Sequence, residues 1–105
     1  MSEETLQNTM KFDFFGDLLT EKQKEYFDLY HNEDLSLSEI AEGAGISKQG
    51  VYDIITRAEK SLNNYEKKTE LIRKWCETRR ELETEISKGE KIHPAALRYF
   101  QLDMK

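Results

Sequence analysis

The apolar positions of this chain fall at helical rather than strand spacing almost throughout. Met10, Phe12, Phe14, Phe15, Leu18 and Leu19 crowd residues 10–19 too broadly for one strand face. They predict a helix buried on more than one side, with its three phenylalanines in the core. Thr20 followed by Gln23 makes a capping box, in which each residue satisfies an otherwise unpaired N–H at a helix start. A second helix is therefore expected from Glu21, burying Tyr26, Phe27 and Tyr30 and ending near residues 31–34.

Ser36 and Glu39 form a second capping box, and Leu37, Ile40, Ala41 and Ala44 follow at the spacing of one helix face. Gly45 offers the left-handed conformation that ends such a helix, Ile46 is expected to plug the corner, and Ser47 is the next N-cap candidate. From Lys48 onward Val51, Ile55, Ala58 and Leu62 mark an amphipathic helix. The pattern continues through Tyr65, Thr69, Ile72 and Cys76, with Leu71, Trp75, Leu82 and Ile86 on an adjacent stripe reaching about residue 87. That run reads as one long helix or as two with a bend. A bend near Asn63-Asn64 is favoured, because Asn is a poor interior helix former. Lys88-Gly89 ends the segment, and Pro94 at the first helical position, after the cap candidate His93, opens a last helix over residues 94–101.

A short capped helix, an Ala-Gly-Ile-Ser turn and a longer helix are the helix-turn-helix pattern. Small Ala41 permits close approach of the helices, Gly45 makes the turn, and Ile46, Val51 and Ile55 close the core. Lys48, Gln49, Tyr52, Asp53, Thr56 and Arg57 remain on the outer face. Lys48 and Gln49 stand where base edges can be reached, while Tyr52, Thr56 and Arg57 suit phosphate or sugar. Asp53 is expected to be solvated or paired with Arg57, four residues on, and as an exposed acid it opposes phosphate unless it accepts from cytosine N4.

Composition narrows the class. One Val against eleven Leu, with a single Pro, disfavours a β sandwich or barrel, so an all-α fold is expected. Charged residues reach 35% and hydrophobic ones 37%, which implies a lean core. No stretch approaches a membrane span, the acidic start over residues 1–8 lacks the features of a signal peptide, and one Cys allows no internal disulfide. A cytoplasmic protein with no membrane partner is expected. The net charge of −5 taken as a whole opposes nucleic acid, but its distribution is uneven. Residues 1–35 carry −6, residues 36–62 carry −1 and residues 63–105 carry +2. If Lys48, Arg57 and Lys60 neutralised three phosphates, the salt slope would be roughly −2.7, that of a weak binder.

The stretch Thr20-Glu21-Lys22-Gln23, Ser36 to Glu42, Ser47-Lys48-Gln49-Gly50-Val51-Tyr52-Asp53, Arg57-Ala58-Glu59 and Tyr65-Glu66 resembles the YlxM-like family of small bacterial helix-turn-helix proteins. That family in turn looks like the promoter-reading C-terminal domain of bacterial sigma factors. The resemblance covers roughly residues 10–68 and is most specific at residues 47–53. Lys48 stands where the family usually has Arg, losing bidentate geometry. Gly50 stands for Ala and weakens the helix by up to about 1 kcal/mol. The resemblance implies an all-α, sigma-like helix-turn-helix bundle with a helical C-terminal extension. By gene neighbourhood it also implies a regulatory role in the signal recognition particle pathway of protein targeting. The expected organisation is a helix-turn-helix domain over residues 9–65 and a charged helical tail over residues 66–105.

The tail pairs Lys67-Lys68, Arg73-Lys74 and Arg79-Arg80 read as a solvated face or as contacts for RNA phosphate or an acidic partner. Trp75 reads as core or as a dimer seam, so a homodimer through the C-terminal helix is one expectation. Catalysis is not expected, and neither is a cofactor or metal. His31 lies in a predicted polar loop, Cys76 sits on an apolar stripe, and Gly43 and Gly45 belong to the helix turn rather than to a phosphate loop. The partners so expected are DNA, the particle's RNA or the particle's GTPase. A non-enzymatic nucleic-acid-binding regulator is the leading reading. Its alternative is a protein-interaction module that docks on a targeting-pathway protein without reading DNA.

Overall fold

Local capping by Thr20, Ser36, Ser47 and His93 sets where the helices that follow them begin, and apolar spacing sets what the helices bury. The computed structural model describes residues 3–102, with side chains from Leu6 onward. Readings of the side chains of residues 1–5, and of residues 103–105, lie outside that range. Six α-helices follow in order: α1 Glu3–Phe15, α2 Glu21–His31, α3 Leu37–Ala44, α4 Lys48–Thr69, α5 Leu71–Ser87 and α6 Pro94–Tyr99. A single 3-10 turn, Gly16–Leu18, follows α1, and no strand occurs among the described residues. The fold is all-α. The chain divides into two compact units, Met1–Thr69 and Glu70–Lys105.

In the first unit α4 is the central element, packed against α1, α2 and α3. Val51, Ile55, Ala58 and Leu62 are all buried, as their 4, 3, 4 spacing requires. Val51 and Ile55 join Tyr26 of α2 and Ile40 and Ala41 of α3 in one cluster, with Leu29, Leu35, Leu37 and Ile54 packed around it. Toward α1, Phe12 stacks on Phe27 with ring centroids 5.1 Å apart, and Phe15 meets Tyr65 at 5.8 Å. These aromatic contacts add apolar area to a lean core.

Both capping boxes form. The Gln23 N–H donates to Thr20 Oγ1 at 3.2 Å and the Thr20 N–H to Gln23 Oε1 at 3.1 Å. For α3, Glu39 N–H to Ser36 Oγ and Ser36 N–H to Glu39 Oε1 are both 3.0 Å. Gly45 ends α3 at φ 71°, with its N–H on the Ala41 carbonyl at 2.9 Å.

Five expectations are corrected. The first helix stops at Phe15, and Leu18, in the tight turn beyond it, is exposed. Tyr30 is exposed because His31, four residues after Phe27 and on the same face, takes the inward place against it with ring centroids 4.3 Å apart. Ala44 and Ile46 are exposed, Ile46 at 37%, so the corner is closed by Val51 and Ile55 instead. α4 runs straight through Asn63-Asn64, and the break comes at Glu70, whose φ is 51°. Asn disfavours helices by bonding to nearby backbone, but Lys11 Nζ holds Asn63 Oδ1 at 2.8 Å while Leu62 and Tyr65 anchor the helix on either side. Finally, α6 ends at Tyr99 rather than residue 101.

In the second unit Trp75 of α5 lies against Phe100 at 5.6 Å. Arg79 Nε donates to the Phe100 carbonyl at 2.8 Å, and its Nη2 to the Gln101 carbonyl at 3.4 Å. α5 ends before Gly89, which takes φ 85°. His93 caps α6 by accepting the Ala95 N–H on Nδ1 at 3.0 Å, with Pro94 at the first helical position.

Candidate nucleic-acid interface

Ser47 opens α4 as its cap, its Oγ accepting the Gly50 N–H at 3.0 Å. At about 100° per residue, turning Val51, Ile55 and Ala58 inward carries the positions on the opposite arc of the helix outward. Lys48, Gln49, Tyr52, Asp53, Thr56 and Arg57 are accordingly all exposed, Tyr52 at 51%. Gln49, Tyr52 and Thr56 form a row along the helix, with Lys48 at one edge and Arg57 at the other. Lys48, Gln49 and Tyr52 together with Leu37 of α3 line a shallow groove beside the helix start.

One polar contact organises this face. Gln49 Nε2 donates to Asp53 Oδ1 at 2.9 Å, a bond between successive turns. Asp53 therefore pairs with Gln49 and not with Arg57. Lys48 and Arg57 make no hydrogen bond or ion pair among the described residues, so their donors face solvent. Asp53 stands one turn before Arg57 on the same side of the helix, so it opposes an anion there and leaves the Lys48 edge without an acid beside it.

α4 is braced by a pair that sequence reasoning missed. His31 is not in a loop but is the last residue of α2, stacked on Phe27 and meeting Tyr30 edge-on at 5.0 Å. Its Nε2 donates to Glu59 Oε1 at 2.8 Å. The bond ties the C-terminal end of α2 to the helix that carries the outer face, and it engages Glu59, which stands in line with Tyr52 two turns further along that helix. The two residues are 28 positions apart, and no local spacing connects them.

The tail cations behave differently. Arg73 pairs with Glu70 at 3.0 Å and with Glu77 at 2.7 Å, and Arg79 pairs with Glu83. The Arg73 guanidinium holds the Glu70 carboxyl below its ordinary value. These two arginines are spent within their own unit. Cys76 is half-buried, and among the described residues no three His, Cys, Asp or Glu side chains gather where they could hold a metal ion. No helix among them is long and apolar enough to cross a membrane.

Comparison with known proteins agrees with this architecture. The model of the family described as "UPF0122: Putative helix-turn-helix protein, YlxM / p13 like" matches residues 2–100. A UPF0122 protein of Caldanaerobacter subterraneus is 47% identical over 83 residues, 79% of this chain and 71% of that protein. Another, of Shouchella clausii, is 48% identical over 89 residues, covering 85% of this chain and 81% of the relative. A third, of Bacillus cereus, is 48% identical over 80 residues, 76% of this chain and 73% of its own length. With a match across nearly its whole length and relatives at this identity, the chain belongs to the UPF0122 family of YlxM / p13-like helix-turn-helix proteins.

Proposed function

We propose that this protein is a non-enzymatic regulator that binds nucleic acid through the first half of α4, with Lys48, Gln49, Tyr52, Thr56 and Arg57 as its contacts. The observation that carries the reading is the single outward face on which all five side chains are exposed, on a helix capped by Ser47 and seated on α3 through the Gly45 turn. Lys48 and Arg57 bring unpaired charge to phosphate, and the free amide oxygen and second N–H of Gln49 remain for a base edge. The nucleic acid would be duplex DNA or the RNA of the signal recognition particle. Its GTPase would be the protein partner and α5 the seam of a homodimer, in a cytoplasmic setting. Family resemblance supports the targeting link, and apolar spacing supports the seam.

Lys48→Ala with Arg57→Ala should weaken binding to a DNA duplex and to the particle's RNA, and should flatten the salt slope by about 1.8. Unchanged binding of both would remove these residues from the interface. The Gln49–Asp53 bond favours a second reading, because it occupies an amide that base readout uses. In that reading the scaffold docks on a targeting-pathway protein without reading DNA. Equal binding of the GTPase by the wild type and the double variant, with no binding to either nucleic acid, would select it.

A further inference from the structure

α4 is longer than a groove-reading helix needs to be. At about 1.5 Å per residue its 22 residues span roughly 33 Å, whereas the major groove of B-DNA is only about 12 Å wide. A helix that enters the groove with its first turns therefore overruns the far phosphate wall with its last ones. What it carries there is decided by the unbroken passage through Asn63-Asn64. Because the helix is unbroken, two seams continue in parallel along its whole length. Val51, Ile55, Ala58, Leu62 and Tyr65 run along the inner side, and Asp53, Arg57, Lys60, Asn64 and Lys67 along the outer, each at intervals of 4, 3, 4 and 3. Lys68 widens the outer seam at its end.

Past Asp53 that seam contains no acid. Lys60, Asn64, Lys67 and Lys68 are exposed, and none of the three lysines makes an ion pair or hydrogen bond among the described residues. The helical neighbours of Lys60 are Thr56, Arg57, Asn63 and Asn64, so it has a like charge one turn away and no carboxylate to offset it. Glu59, the acid beside it in sequence, is engaged by His31 on another side of the helix. Lys11 of α1 is drawn to the same stretch by Asn63 at 2.8 Å. On α5, by contrast, Arg73 and Arg79 are each paired with glutamates. The helix dipole favours Lys67 and Lys68 in the last turn, but Lys60 beside Arg57 has no such offset, and an external polyanion supplies one.

We infer that the outer seam of the second half of α4, formed by Lys60, Asn64, Lys67 and Lys68, is a phosphate-contact strip for duplex DNA, engaged by the strand flanking the groove that the first half enters. The inference rests on the recognition-helix reading above. DNA is favoured over double-stranded RNA because the A-form major groove is too narrow to admit the helix that brings the strip to the backbone. Such contacts fix register and add affinity but carry no sequence information.

The test is a binding titration of the full chain with a 30-base-pair mixed-sequence DNA duplex across several salt concentrations. Lys60→Gln with Lys67→Gln should flatten the slope of log affinity against log salt by about 1.8, and should weaken binding by one to two orders of magnitude near 0.1 M salt. Loss should be uniform across duplex sequences. Lys22→Gln with Lys24→Gln makes the same change of net charge on α2, and should leave the slope unaltered. Binding by the wild type with an unchanged slope in the Lys60/Lys67 variant overturns the strip while leaving the recognition residues standing. Equal losses in the two double variants reduce the effect to net charge and overturn it also. Equal or tighter binding of a matched RNA duplex overturns the assignment to DNA. No wild-type binding to DNA overturns the strip and the DNA reading of α4 together. Circular dichroism should match the wild type and the melting temperature should match or exceed it in the Lys60/Lys67 variant, since neither side chain has a partner to lose and Lys60 stands beside a like charge.

Discussion

Gly45 is the residue on which the helix-turn-helix depends most directly. Its φ of 71° lies where an L side chain is strained, yet a Cβ placed there would meet nothing within 4 Å. The cost of Gly45→Ala is therefore purely conformational, and urea denaturation should show a loss of about 1–2 kcal/mol without a change in the final fold. Gly50 presents the opposite case. It lies inside a helix, and a Cβ would approach Ser47 Oγ at 3.2 Å. The helix propensity that Ala would add is set against displacement of the cap that starts α4. Ala in place of Gly50 should thus gain less than propensity alone suggests.

At the scale of elements, α3 shows how a local signal acquires a pH dependence. Hydrogen bonds from the Ser36 backbone and side chain hold the Glu39 carboxyl below its ordinary value of 4.5. A carboxylate whose folded value is depressed adds stability above its unfolded value, and that contribution is lost as pH falls through the folded one. The stability advantage of the wild type over Glu39→Gln should therefore be full at pH 6 and shrink toward zero below about pH 4, measured by urea denaturation at each pH. A difference that stayed constant with pH would show that the charge of Glu39 is not what supports the cap. α4 carries the complementary lesson. Asn63 and Asn64 have poor intrinsic propensity, but packing at Leu62 and Tyr65 and the Lys11 bond outweigh a few tenths of a kcal/mol each. The same continuity aligns the outer seam.

Over the whole molecule, charge and the division into two units set different expectations for different parts. The −5 net charge is concentrated ahead of the helix-turn-helix, while the outer side of α4 is cationic beyond Asp53. The proposed nucleic-acid binding should accordingly depend on which face is presented and weaken as salt rises. Within the second unit, Arg79 joins α5 to the carbonyls after α6. Arg79→Ala forfeits bonds made by a charged donor, worth about 1.5 kcal/mol at the low end. Amide hydrogen exchange in Pro94–Tyr99 should then quicken roughly tenfold, with α2 to α4 unchanged.

Much of this architecture was legible in the sequence because it depends on short-range chemistry. Both capping boxes, the Ser47 and His93 caps, the Gly45 turn and the inner seam from Val51 to Leu62 each involve residues within a turn or two of one another. Backbone N–H satisfaction and helical period are sufficient to specify them. The exposed positions Lys48, Gln49, Tyr52, Thr56 and Arg57 followed from that period alone, since fixing the inner face fixes the outer one. The outer seam was within reach of the same arithmetic, and only the expected bend at Asn63-Asn64 hid it. Three features were decided by tertiary structure. The His31–Glu59 brace needs α2 and α4 side by side, the Lys11–Asn63 bond needs α1 against α4, and the inward place of His31 instead of Tyr30 needs Phe27 already packed. Each is a contact between residues distant in the chain or a choice between neighbouring side chains, and such choices are settled only when packed helices leave one position open and fill the other.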